Sequence, residues 1–244
     1  NFVKKVGVAK RENTIDVSLL EFYVREELNK ICPRVMVVTN EIKLVITNYP
    51  DGKQEKLEAI NNPEDEAQGK REMVFSKYLY IEREDFRETA NKKFFRLSIG
   101  KEVRLKNAYI IKGEKCIKNS NGEVIEIQCS YDPKSKSGSN SDESKRKVKG
   151  TIHWIDIKSS TDITINEYDR LFFNEKPEEN VDLIKGVNKS SKKRIVGKSE
   201  KYVSSLKKGQ KVQFQRKGYY IVDSNNDGNI TFNKTVSLRD SSRK

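Results

Sequence analysis

Arginine, glutamine and lysine are the residues whose types and spacing could do specific chemistry in this sequence. In FRLSIGKEVRLKN (residues 95–107) a strand places Val103 and Leu105 on one face and Arg104 and Lys106 on the other, because successive side chains alternate. The apolar pair can enter a core while the two cations address a ligand. Phe94 and Phe95 adjoin Arg96, so a ring able to stack on an unpaired base stands beside a guanidinium. In VQFQRKGYY (residues 212–220), inward-facing Val212 and Phe214 leave Gln213 and Gln215 pointing out, where an amide can pair with a base edge. Strict alternation would send Arg216 inward after Phe214, unless the Lys217-Gly218 turn swings it to the surface. The chemistry these groups offer is recognition, not bond making.

Catalytic sets are missing. His153 is the only histidine, which excludes His-based triads and multi-His metal sites; in TIHWID beside Trp154 it reads as a packed strand residue. DSNNDGNITFNK (residues 223–234) resembles a calcium loop through Asp223, Asn225, Asp227 and Gly228, but Lys234 occupies the position that needs a bidentate Glu. Its flanks are β-branched and aromatic, so a strand–loop–strand hairpin is expected there. EREDFRE (residues 82–88) reads as a solvated helix start. Cys32, Cys116 and Cys129 have no CxxC spacing, which argues for reduced thiols, no zinc site and a cytosolic protein. No Gly-rich phosphate cradle is present. Neither catalytic residues, metal ligands nor a bound cofactor are expected from these residues.

The positioning elements follow from the wider pattern. The chain has 244 residues, 34% hydrophobic and 35% charged, with a formal net charge of +13, so thin cores and a polyanion partner are expected. Between Gly186 and Lys211, nine basic residues face one acid, Glu200. No apolar run approaches the ~18 residues of a membrane helix. NFVKKVG reads as a helix tail closed by Gly7, and Asn13 or Thr14 can cap a second helix with Val17, Leu20, Val24, Leu28 and Ile31 along one side. Pro33 stops it. After Pro33, short strand-like runs alternate with turns such as Tyr49-Pro50-Asp51-Gly52 and Asn119-Ser120-Asn121-Gly122, a pattern of β-barrels with two cores. PKSKSGSNSDESKRK (residues 133–147) has almost nothing to bury and is expected to be a mobile loop. Asn1 lies inside a helical phrase, so the sequence reads as a fragment of something longer.

The phrases CPRVMVV, IKLVITNYP, FRETANKKFFRLSIGKEVRLKNAYIIK, KRKVKGTIHWI, YDRLF and FNKTVSLRD closely resemble, in order, the glutaminyl-tRNA synthetase family. The resemblance runs from Phe2 to about Asp240. It implies a mainly β fold: two β-barrels, the distal one inserted in the proximal one, preceded by a short helical subdomain. On that basis residues 1–32 end the helical part, 33–48 and 158–244 form the proximal barrel, and 49–157 the distal barrel. It implies a cytoplasmic class I synthetase that joins glutamine to its tRNA, with ATP and magnesium held in a catalytic domain outside this chain. The partner is the anticodon loop of glutamine tRNA. By matching motifs, Arg34, Gln213 and Arg216 hold the middle base, a uracil, and Arg96 reads the third base, a guanine. Arg104 and Lys106 line the pocket for the first base or its phosphate. Lys106 stands where some members have Arg, and Phe95 where some have a basic residue. An archaeal or eukaryotic glutamyl-tRNA synthetase, or a stand-alone RNA-binding module, would share the barrels.

Overall fold

The computed structural model describes residues 2–8, 10, 12–172, 184, 186–226 and 228–239. Two helices come first. α1 (Phe2–Val6) closes at Gly7, whose φ of +75° lets its N–H return to the Val3 carbonyl at 2.9 Å. α2 (Val17–Ile31) begins later than Asn13 or Thr14, because the Asp16 carboxylate takes the cap and accepts from the Ser18 N–H at 2.7 Å. Of its apolar stripe only Leu28 is fully buried, against Cys32, Tyr219 and Val236, while Val17, Leu20 and Ile31 are exposed.

The strands follow as β1 (Arg34–Val35), β2 (Val37–Val38), β3 (Glu41–Ile46), β4 (Glu55–Ile60), β5 (Lys70–Phe75), β6 (Tyr78–Glu82), β7 (Glu102–Leu105), β8 (Ile110–Lys118) and β9 (Val124–Tyr131). After the short α3 (Asp142–Lys145) come β10 (Thr151–Ile152), β11 (Ile155–Asp156), β12 (Thr161–Tyr168), β13 (Lys192–Ser199), β14 (Lys211–Phe214), β15 (Gly218–Asn226) and β16 (Asn229–Ser237). One sheet has the order β1-β14-β15-β16-β12-β13-β2 and the other β10-β7-β8-β9-β3-β6-β11. In each, the two edge strands are neighbours in the chain: Met36 alone separates β1 from β2, and His153–Trp154 separate β10 from β11. A split strand thus hands the chain from one edge of its sheet to the other, and the sheets curl into a nearly closed barrel and a half-barrel.

The first sheet draws on residues 34–38 and 161–237 and the second on 41–156, so one is inserted in the other. The expected boundary after residue 48 needs correction. β3 pairs with β6 and β9, with Ile42, Leu44, Val45 and Ile46 all buried, so the crossing falls at Thr39–Asn40. A strand buried on both faces belongs at the centre of a sheet. β4 and β13 are strands that the apolar pattern does not mark. β4 alternates only Leu57 and Ala59 into the second core, and β13 (KKRIVGKS) is masked by its charges.

Aromatic rings fill the second core, with Phe75 at 5.2 Å from both Tyr109 and Trp154. In the first, Phe214 stacks on Tyr220 at 4.1 Å. The calcium-like stretch is the β15–β16 hairpin, pairing Asn226 with Asn229, and the Asn225 amide donates to the Leu206 carbonyl at 2.7 Å. Asp227, its fifth position, lies outside the described residues, as does Phe173 at the end of the ITINEYDRLFF run.

Candidate nucleic-acid interface

Where the two barrels meet, a hollow of about 870 Å³ opens. Arg34, Lys106, Gln213 and Arg216 border it together, from β1, the end of β7, β14 and the turn after β14. Arg96 borders an adjoining hollow of about 680 Å³ with Phe94, Phe95 and Lys149, and Arg216 and Thr151 line both. The larger hollow carries six basic side chains (Arg34, Lys56, Lys70, Lys106, Lys136 and Arg216) against the single acid Glu58. Four of the six residues expected at the site therefore border one cationic hollow, and a fifth, Arg96, borders the next.

β1 lies parallel to β14, with Arg34 opposite Gln213, which is why residues so distant in sequence meet. Gln213 Nε2 donates to the Tyr219 hydroxyl at 2.8 Å, and that hydroxyl donates to Asn29 Oδ1 at 3.2 Å. Arg34 Nη2 donates to the same Asn29 oxygen at 3.0 Å. The chain of bonds holds the Gln213 amide with its oxygen unpartnered among the described residues. Arg34 Nε is buried and likewise has no acceptor. A buried N–H of a cation costs free energy until an acceptor arrives.

Arg216 resolves the alternation conflict by its backbone. Its φ of +67° is left-handed, unusual for a residue with a Cβ, and it turns the side chain off the inward face that Phe214 follows. The guanidinium then makes two parallel bonds to Asp85, Nη1 to Oδ2 and Nη2 to Oδ1, each 2.7 Å. Arg96 Nε reaches the same carboxylate at 3.2 Å, and its Nη1 donates to the Glu84 carbonyl at 3.2 Å. A guanidinium has five N–H groups. Arg216 spends two of these in hydrogen bonds and Arg96 one, beside its ion pair, so N–H groups on both remain for a ligand. Asp85 is fully buried. EREDFRE is thus no solvated helix start: Asp85 orients two arginines, and buried Glu82 accepts from the Thr39 and Asn40 N–H groups at the barrel crossing. An acidic run in a strongly basic chain was the available signal for these residues.

Arg104 needs correction. Val103 and Leu105 are buried and Arg104 points away from them, but its guanidinium does not border either hollow. Nη1 donates to the Ser135 carbonyl and Nη2 to the Ser144 carbonyl, both at 2.8 Å. Residues 133–147, expected to be mobile, are held by these bonds. Buried Ser135 donates to the Asp132 carbonyl at 2.7 Å and accepts from the Ile110 N–H, while Arg146 pairs with Glu102, Asp132 and Glu143. Polar bonding replaces the apolar burial that the segment lacks. Arg104 builds a wall of the cleft, since Lys136, Ser137 and Gly138 of this loop line it. Lys106 stands in the cleft without an acidic partner among the described residues.

His153 also lines the larger hollow, 4% exposed. Burial, reinforced by Arg216, Lys106 and Lys217, pushes its pKa from the ordinary 6.5 down to about 3. Unfolded, the imidazole takes up a proton near pH 6.5, whereas folded it does so only near 3. Stability from this group is therefore full above 6.5 and falls with pH between the two values. Unfolding titrations from pH 6.5 to 5 should show a loss that steepens toward about 1.4 kcal/mol per pH unit, absent in His153→Gln. A flat wild-type profile would show that the folded ring protonates normally.

Two barrels meet over a cationic cleft in which arginine and amide groups keep unspent hydrogen-bonding capacity. Two family models described as "tRNA synthetases class I (E and Q), anti-codon binding domain" match residues 32–132 and 151–223. The chain belongs to this family of class I (E and Q) tRNA synthetases, and it carries their anticodon-binding domains. It is similar to the glutamine–tRNA ligase of Rhodopirellula baltica, 48% identical over 98% of this chain and 40% of that protein. Those of Clostridium perfringens (46% identical, 99% of this chain, 44% of the relative) and Idiomarina loihiensis (43%, 98% and 43%) are also similar. The chain spans about two fifths of the length of these curated relatives. No helix among the described residues is long and apolar enough to cross a membrane.

Proposed function

We propose that this chain reads the anticodon of glutamine tRNA as part of a cytoplasmic glutamine–tRNA ligase. The observation that carries this reading is the convergence of Arg34, Gln213 and Arg216 on one hollow, with Arg96 on the next. Unstacked bases expose their Watson–Crick edges, and guanidinium and amide groups match those edges with paired bonds. Arg34, Gln213 and Arg216 hold the middle uracil and Arg96 the third-position guanine, while exposed Phe95 offers a ring beside it. Lys106 contacts the first nucleotide or its phosphate; lysine lacks the planar fork that would read a base edge strictly. Arg104 contributes by fixing the wall. ATP and magnesium, in this proposal, belong to the rest of the enzyme.

The test is binding of the chain to glutamine tRNA and to tRNAs with each anticodon base exchanged. Wild type should prefer the glutamine anticodon. Arg96→Ala should lose roughly 5- to 150-fold of preference for the third-position guanine, the value of about 1–3 kcal/mol for a paired base contact. Equal weakening toward both tRNAs would make Arg96 a phosphate contact.

A further inference from the structure

The break between β10 and β11 frees two residues from the sheet ladder, and they part company. Trp154 enters the core and donates from Nε1 to the Lys106 carbonyl at 2.8 Å. His153 is as withdrawn from solvent as a core residue, yet it forms part of the wall of the larger hollow with Gln213, Arg216 and Lys106. Among the described residues neither ring nitrogen has a hydrogen-bond partner, and the ring belongs to the lining of the hollow. Buried polar groups in folded proteins are paired. Here the described residues supply no partner, and the cleft that the ring lines is where a ligand can supply one.

We propose that His153 is a further specificity-determining residue, hydrogen-bonding an uncharged group of the anticodon nucleotide seated between Gln213–Arg216 and Lys106. The group is a base edge or a ribose hydroxyl. This rests on the anticodon reading above and deepens it. A neutral imidazole presents one N–H donor and one lone-pair acceptor, which suits an uncharged edge with both kinds of group. Phosphate is better served by the neighbouring Lys106 and Arg216, whose charges reinforce burial in holding the ring neutral. The cleft thereby gains a contact whose strength does not depend on salt.

The experiment uses the 244-residue chain and an anticodon stem–loop RNA of glutamine tRNA, with versions carrying a 2′-deoxy sugar at each anticodon position. His153→Phe, which keeps a ring but no polar atom, should bind about tenfold more weakly, with the salt dependence of binding unchanged. His153→Gln should recover most of the loss. A deoxy position that weakens wild type but not His153→Phe assigns the ribose; none assigns the base edge. Binding within twofold of wild type, or a salt slope lowered by about one, overturns the proposal. Should the Phe variant fail to fold, the wild-type chain still decides. His153 is its only histidine, so its ring ¹⁵N resonances are a single signal set that must shift when RNA is added. An unshifted ring with intact anticodon preference overturns the His153 assignment alone. Absence of any anticodon preference in wild type overturns both readings.

Discussion

Asp85→Asn is expected to lower unfolding free energy by about 3 kcal/mol and to weaken anticodon stem–loop binding at least tenfold. The carboxylate is fully buried, accepts two hydrogen bonds from Arg216 and pairs with Arg96 at 3.2 Å. Asn keeps the shape but removes the charge, leaving two guanidiniums close together without their counter-ion. Removing one partner of a buried pair costs about 3–5 kcal/mol. The lower end applies here because the arginine side chains remain 36% and 42% exposed, and water screens them in part. The functional loss has a separate origin. Arg216 sits on a left-handed backbone and borders both hollows, so losing its anchor loosens the base contacts expected at two positions. Denaturant unfolding and stem–loop titration of the same preparation check both parts. A change under 0.5 kcal/mol would mean that the arginines find another acceptor.

Glu200→Ala is expected to cost about as much in stability and to act on the cleft from behind. Arg71 and Glu200 form a buried two-pronged pair, Nε to Oε2 at 2.6 Å and Nη2 to Oε1 at 2.8 Å, joining β5 to the loop after β13. Glu200 also accepts the Met36 N–H at 2.5 Å, the amide that the β1–β2 split leaves without a ladder partner. Alanine strands that amide and an arginine whose side chain is 3% exposed. Such a loss is worth about 3–5 kcal/mol, although a well-packed apolar replacement of the whole pair could be neutral. Arg71 Nη1 further donates to Asn61 Oδ1, and the Asn61 carbonyl accepts from the Arg34 N–H at 2.6 Å. The damage should therefore reach Arg34 and its base. Chemical unfolding should report the stability loss, and exchanging the middle anticodon base should matter less to the variant than to wild type. Unchanged middle-base preference would confine Glu200 to a structural role.

Much of the cleft is legible in the sequence because it follows from strand alternation and short phrases. Gln213 lies between buried Val212 and Phe214, and Arg104 and Lys106 lie opposite buried Val103 and Leu105. The insertion of one barrel in the other followed from the family resemblance. Local pattern cannot say how a side chain's hydrogen-bond capacity is spent. Arg104 and Arg96 look equivalent in FRLSIGKEVRLKN, yet Arg104 is consumed by carbonyls of residues 133–147 while Arg96 keeps free N–H groups. The same limit hid Asp85 and Glu200, whose partners lie 131 and 129 residues away.

The sequence by itself determined that this protein is basic, mainly β and equipped with arginine and glutamine at strand positions able to meet bases. Its periodicity is local, so it encodes which face each residue takes. Tertiary structure alone decided which faces share a cleft. The parallel pairing of β1 with β14 brought Arg34 to Gln213, and the split between β10 and β11 placed His153 beside them. Contacts of that kind depend on closing barrels across more than a hundred residues, and no short window of sequence carries that information.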